Sequence, residues 1–173
     1  MTYRAYAGIG SRQTPRPILK FMEQLAAQLA ERRWTLRTGH APGADQAFER
    51  GAGHRAEVYL PWPRFEPHVP LLARTVVDTP TGEALELSSQ HHPHWEHLKQ
   101  GERMLHGRNA HQVLGLYLNE PVAFVVAWTE QAAGGGGTGQ ALRIARAYEI
   151  PVYDLADPGV LGRVSRSLEQ VAA

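Results

Sequence analysis

Val122-Ala123-Phe124-Val125-Val126-Ala127-Trp128 is an unbroken apolar run of seven residues, and a glycine cluster, Gly134 to Gly139, follows it closely. A continuous apolar run of strand length suits a central parallel strand covered on both faces. Similar shorter runs lie on either side: Tyr3–Ala7, Trp34–Arg37, Ala56–Leu60 and Pro151–Tyr153. Between them apolar residues recur at helical spacing, as at Ile18, Phe21, Met22, Leu25, Ala26 and Leu29. Thr14-Pro15 reads as a helix start with Thr14 as its cap. Further helices are expected at Ala44–Arg50, Gln140–Tyr148 and Pro158–Val171. Strands alternating with helices in this way predict an α/β fold of Rossmann-like type, a parallel sheet with helices on both faces. The expected strand order is 3-2-1-4-5, which sets the first and fourth strands side by side at the centre.

Pro61 to about Ser89 breaks the pattern. It holds five prolines and no clean period, so it reads as an irregular excursion with a short helix around Val69–Thr75. Trp95–Leu105 and Asn109–Leu116 read as helical, with a break near Gly107. Residues 1–173 are expected to form a single domain.

The composition narrows the chemistry. The formal net charge is +1, so no global basic field points to nucleic acid. The 18 basic residues are 16 Arg and 2 Lys. Arginine is the better bidentate partner for phosphate, and a compositional bias of the source genome gives the same skew. There is no cysteine, which removes disulfides, thiolate nucleophiles and cysteine-ligated metals. The start, Met1-Thr2-Tyr3-Arg4, has no signal-peptide character, and no stretch is long and apolar enough to span a membrane. A cytoplasmic protein is expected.

Three loops at one end of the expected sheet carry the functional signal. Gly8-Ile9-Gly10-Ser11-Arg12 leads from the first strand toward a helix, whose free N–H groups and dipole favour an anion. Ser11 adds a hydroxyl and Arg12 a cation. Thr38-Gly39-His40-Ala41-Pro42-Gly43-Ala44-Asp45 does the same after the second strand. Gly134-Gly135-Gly136-Gly137-Thr138-Gly139 follows the central strand, where successive N–H groups can form an anion nest. The first loop is not G-x-G-x-x-G and the third lacks Gly-Lys-Ser/Thr, so neither a dinucleotide fingerprint nor a Walker A loop is met.

Together these loops resemble the DprA/Smf and Lonely-guy (LOG) proteins of the SLOG superfamily, most closely the small DprA-like proteins of phages and bacteria. The resemblance rests on Gly8-Ile9-Gly10-Ser11-Arg12, on Thr38 to Asp45, on Arg108-Asn109 as an Arg-containing helix start, and on Gly136-Gly137-Thr138-Gly139 with Ala141-Leu142. It implies a phosphate- or nucleotide-binding site at Gly8, Gly10, Ser11, Arg12, Thr38, Gly39, Gly43, Asp45, Arg108, Asn109, Gly135, Gly136, Gly137 and Thr138. It implies no cofactor and no metal, and a homodimer or larger assembly.

Two activities compete within the superfamily. DprA proteins bind single-stranded DNA and help to load a recombinase, so the leading expectation is a DprA-like nucleotide- or DNA-binding protein in DNA processing and recombination. LOG proteins cleave the N-glycosidic bond of nucleoside monophosphates with a glutamate. Aligning Gly137-Thr138 puts Ala141 at that position, which lowers the phosphoribohydrolase reading; Asp45 and Glu130 are the carboxylates left to stand in. A non-catalytic nucleotide-sensing domain is the third reading. For a DNA partner, Arg12, Arg16, Arg37, Arg64, Arg108 and Arg143 are candidate phosphate contacts, and Trp62, Phe65, Trp95 and Trp128 candidate stackers. His91, His92, His94 and His97 are read as a solvated helix start rather than a metal site.

Overall fold

The computed structural model describes residues 4–130 and 136–172. The chain runs β1 (Ala5–Gly10), α1 (Arg16–Glu31), β2 (Thr35–Thr38), α2 (Ala44–Ala52), β3 (Ala56–Tyr59), β4 (Arg74–Val77), α3 (Gly82–His91), α4 (Gln100–Leu114), β5 (Val125–Trp128), α5 (Gly136–Ala147), β6 (Val152–Asp154) and α6 (Pro158–Ala172). All strand pairs are parallel, in the order β4-β3-β2-β1-β5-β6. The sheet thus differs from the expected five-strand order 3-2-1-4-5. A sixth strand, β4, lies at the edge beyond β3, within the stretch read as irregular. Its register on β3 shifts between Val58 and Tyr59, and Arg74 and Thr75 are exposed, so β4 carries no clean apolar period.

Strand alternation divides the interior into two layers. Ala5, Ala7, Ile9, Val125 and Ala127 pack against Ala84, Ala110, Val113, Leu114, Leu142 and Ile144 of α3, α4 and α5. Tyr6, Leu36 and Val126 pack against Met22, Leu25, Ala26, Ala47 and Phe48 of α1 and α2. Helices therefore cover both faces, and the switch of face falls between β1 and β5.

Several local expectations are corrected. β1 runs on through Gly8 to Gly10, because Gly8 pairs with Val126 and lies against Leu36 and Phe48. Thr14 does not cap α1; its hydroxyl donates to the Ser11 carbonyl at 2.7 Å. Val69–Thr75 is not a helix but leads into β4. Helix α4 is unbroken: Gly107 sits in its middle, where Leu85 and Pro80 press closest. Arg108-Asn109 is therefore mid-helix and not a helix start. Among the described residues no helix is long and apolar enough to cross a membrane.

Helices α1 and α2 cross at Gly51, where an added Cβ would lie 2.1 Å from the Glu23 carbonyl oxygen and 2.8 Å from the Ala26 Cβ. Helix propensity alone favours Gly51→Ala by about 1 kcal/mol. The packing predicts the opposite sign, a loss of about 1–3 kcal/mol as the helices separate. The urea midpoint of the variant decides between the two.

Candidate phosphate-binding cleft

A cavity of about 660 Å³ opens at the C-terminal ends of β1 and β5, between α4 and α5. This is where a doubly wound sheet leaves a crevice, and the volume is that of a small-molecule or cofactor site.

The first loop forms one lip. The Ser11 N–H donates to the Trp128 carbonyl at 3.1 Å, tying the end of β1 to the end of β5. The Ser11 hydroxyl accepts from the Gln13 N–H at 3.0 Å. Arg12 is the exposed cation of the site, with 59% of its side chain open to solvent; Glu66 approaches it no closer than 4.0 Å. Such an exposed, distant pair is worth little.

The second loop is held from beneath. Gly43 adopts φ +89, and a Cβ there would lie 2.8 Å from the Ser11 carbonyl oxygen and 2.9 Å from the Arg12 Cα. Glycine at that position lets the second loop lie against the first. The Asp45 carboxylate turns back from the first turn of α2 to accept from the Gly39 N–H at 3.2 Å and the Ala41 N–H at 3.4 Å. Burial pushes Asp45 up, while the Arg108 charge and the N–H groups of Ala41, Gly39 and Gly10 oppose the rise. Arg108 reaches across from α4. Its Nη1 donates to the Gly39 carbonyl at 2.5 Å, sits 4.0 Å from the Asp45 carboxylate, and its guanidinium lies over the Phe65 ring at 5.7 Å. Burial pulls the Arg108 guanidinium down, Asp45 restores it, and Arg12 adds repulsion. Two guanidinium charges thus face one cleft, and an anion between them relieves that repulsion.

The far wall is α5. Asn109 Nδ2 donates to the Gly137 carbonyl at 2.8 Å, fixing α4 to the first turn of α5. Thr129 on the β5 side is positioned by Asp154, which accepts from both its N–H and its hydroxyl.

Nine of the fourteen expected site residues line the cleft: Gly10, Ser11, Arg12, Asp45, Arg108, Asn109, Gly136, Gly137 and Thr138. Gly8, Thr38, Gly39 and Gly43 do not. Gly8 is inside β1, and its carbonyl accepts from Thr38 Oγ1 at 2.8 Å, so both stitch strand to strand. Gly39 and Gly43 shape the loop from behind. Gly135 lies outside the described residues, and Gly136 to Gly139 form the first turn of α5. Ile9, Gln13, Ala41, Leu105, Gln112 and Thr129 also line the cleft and were not expected there. Gln112 follows Leu105, Arg108 and Asn109 on one helical face, a spacing that becomes visible once α4 is continuous.

Other candidates point elsewhere. Arg37 is buried against Glu57 and Glu120, away from the cleft. Arg143 donates to the His91 carbonyl and to Gln140. Phe65 is buried and Trp128 half-buried; neither offers a free face as Trp62 does. Among the described residues no three His, Asp or Glu side chains are grouped to hold a metal. His92 and His106 instead pack with Trp95, and burial, then the charges of His92, Arg143 and Arg108, pushes His106 down to about 4. Ala141 lines the cleft without a carboxylate, and Gln140 is buried away from it, donating to the Ser88 carbonyl at 2.8 Å. His40 is structural. Its Nδ1 lies 2.6 Å from Glu49 and its Nε2 3.3 Å from the Val69 carbonyl, while Glu49 accepts from the Leu72 N–H at 3.0 Å. The proline-rich segment is thereby pinned to α2.

No protein-family model matches the chain, and no curated protein matches it. Among solved structures it is similar to DNA processing protein A from Helicobacter pylori, a structure concerned with single-stranded DNA binding. The TM-score is 0.59 at 16% identity, over 98% of this chain and 82% of the other. That likeness is one of fold.

Two outcomes follow from the burial pattern. Arg108→Ala removes one member of a buried pair and strands Asp45, a loss of about 3–5 kcal/mol in denaturant unfolding; Arg12→Ala, on the surface, changes stability by less than about 0.5 kcal/mol. For His40, burial lowers its pKa, but the hydrogen bond and charge of Glu49 outweigh it, and the net value is raised above 6.5. A raised folded-state pKa gives stability that is full below 6.5 and lost as pH rises through the folded value. Proteolysis within residues 61–72 is therefore expected to accelerate from pH 6 to pH 9, and Glu49→Gln to flatten that dependence.

Proposed function

We propose that the chain binds single-stranded DNA, or a nucleotide, through phosphate contacts in the cleft between β1 and β5, and that it acts as a DprA-like binding protein in DNA processing and recombination. The observation that carries this reading is the pairing of an exposed Arg12 with a buried, charged Arg108 around a cavity bounded by the first turns of α2 and α5. Backbone N–H groups at helix starts favour phosphate, and the Arg12 fork is free to take it bidentately. The likeness of fold to DNA processing protein A supports a single strand as the ligand. Membership of the SLOG superfamily, a recombinase partner and a homo-oligomer belong to the same proposal.

The exposed Trp62, edge-on to Phe65 at 5.2 Å, offers a stacking face one ring away from Arg108. Phosphate neutralisation beside an aromatic face is the pairing that single-strand binding uses. A LOG-type hydrolase needs a titratable group at the scissile bond. Ala141 supplies none. Of the carboxylates in the cleft, Asp45 is committed to the Gly39 and Ala41 N–H groups, and Glu130 stands exposed at the rim.

Fluorescence anisotropy of a labelled oligodeoxythymidine, titrated across salt, tests the proposal. The expected result is a negative slope of log affinity against log salt, made shallower by about 1 in Arg12→Ala. Absent or salt-insensitive DNA binding with tight mononucleotide binding supports a sensor instead. Release of free base from a nucleoside monophosphate supports the hydrolase.

A further inference from the structure

Gln112 is fully buried, yet neither its amide nitrogen nor its amide oxygen has a hydrogen-bond partner among the described residues. It also lines the cleft. A buried amide with both ends unpaired is unfavourable, and interiors normally satisfy such groups. Gln140, equally buried, obeys the rule: it donates to Ser88 and accepts from Arg143. Gln28 Oε1 and Arg108 Nε are also buried without a partner, but among the described residues only Gln112 has both ends of an amide unpaired, and it lines the cleft.

Its depth says which part of a ligand it meets. Helix α4 leads into β5, so it runs opposite to the strands, and its later turns lie further from the cleft mouth. Gln112 is seven residues beyond Leu105, about 10 Å deeper along the axis. Ala141 is five residues into α5 and lines the same cavity, with Ile9 of β1 beside it. The cleft thus has an exposed cation, Arg12, beside the first turn of α5, and an inner part where Ile9 and Ala141 lie with the buried Arg108, Asn109 and the unpaired Gln112 amide. That division matches a nucleoside monophosphate unit, with phosphate at the mouth and the flat base within.

We propose that Gln112 is the residue that recognises the nucleobase, pairing its side-by-side donor and acceptor with a hydrogen-bonding edge of a base inserted in the cleft; the inference rests on the reading of the cleft as a nucleotide or single-strand site. Every base presents a neighbouring donor and acceptor on one edge, and the Gln112 amide can turn to match either order. The residue therefore distinguishes a base from no base, rather than one base from another. A phosphate alone leaves it unpaired.

The test compares three probes: an oligodeoxynucleotide, an abasic oligomer of equal length, and deoxynucleoside monophosphates. Each is titrated against the full chain and against the Gln112→Leu and Gln112→Met variants. Losing two neutral hydrogen bonds is expected to weaken binding of base-bearing probes about tenfold or more, with the abasic oligomer unaffected. Both free variants are expected to melt at a higher temperature than the parent, since an unpaired buried amide has been removed. Weakening with monophosphates as with strands assigns the base to a free nucleotide as well; weakening with strands alone assigns it to DNA. Base-bearing and abasic probes weakened equally, or neither weakened, overturns the role of Gln112 while leaving the cleft reading intact. A parent chain that binds none of the three overturns both.

Discussion

Arg108 and Asp45 are opposite charges buried together, and the cleft takes its shape from the way they are satisfied. Neither is stable there alone: burial disfavours the charged form of each, and each partly restores the other. Both also reach the same short piece of backbone, although Arg108 Nε stays without a partner among the described residues. Asp45 accepts from Gly39 and Ala41, and Arg108 donates to Gly39. A helix on one face of the sheet is thus locked, through a loop, to a helix on the other. The loop after β2 has little freedom left, and Gly43 sets it directly against Ser11 and Arg12.

This arrangement separates two tasks that a sequence motif merges. Arg108 is buried and holds the loop after β2, whereas Arg12 is exposed at the lip of the cleft, with Glu66 4.0 Å away. The glycines divide in the same way. Gly8 belongs to the sheet, Gly39 and Gly43 to the frame of the loop, and Gly136 and Gly137 to the helix start that borders the cavity. A pocket built from helix starts and guanidinium groups, with its buried carboxylate already engaged, is suited to holding an anion.

Much of this was legible in the sequence where one physical signal dominated. The apolar run at Val122–Trp128 marks the inner strand β5, of which Val125–Trp128 is the extended part, while the glycines read as loops are used otherwise: Gly8 and Gly10 lie inside β1, and Gly136 to Gly139 open α5. Legibility failed where two signals conflicted. Gly107 looks like a helix break because glycine is a poor helix former, but it serves close packing by Leu85 and Pro80. That error hid the face shared by Leu105, Arg108, Asn109 and Gln112. β4 escaped notice because an edge strand with exposed Arg74 and Thr75 has no apolar period. Arg37 looked free because sequence does not reveal that Glu57 and Glu120 already engage it.

The most direct measurement is a crystal structure of the chain with a short oligodeoxynucleotide bound. The account predicts a phosphate between the Arg12 guanidinium and the first turn of α5, with the strand entering the cleft between β1 and β5. A strand lying on another face of the molecule, with that cleft empty, would contradict it.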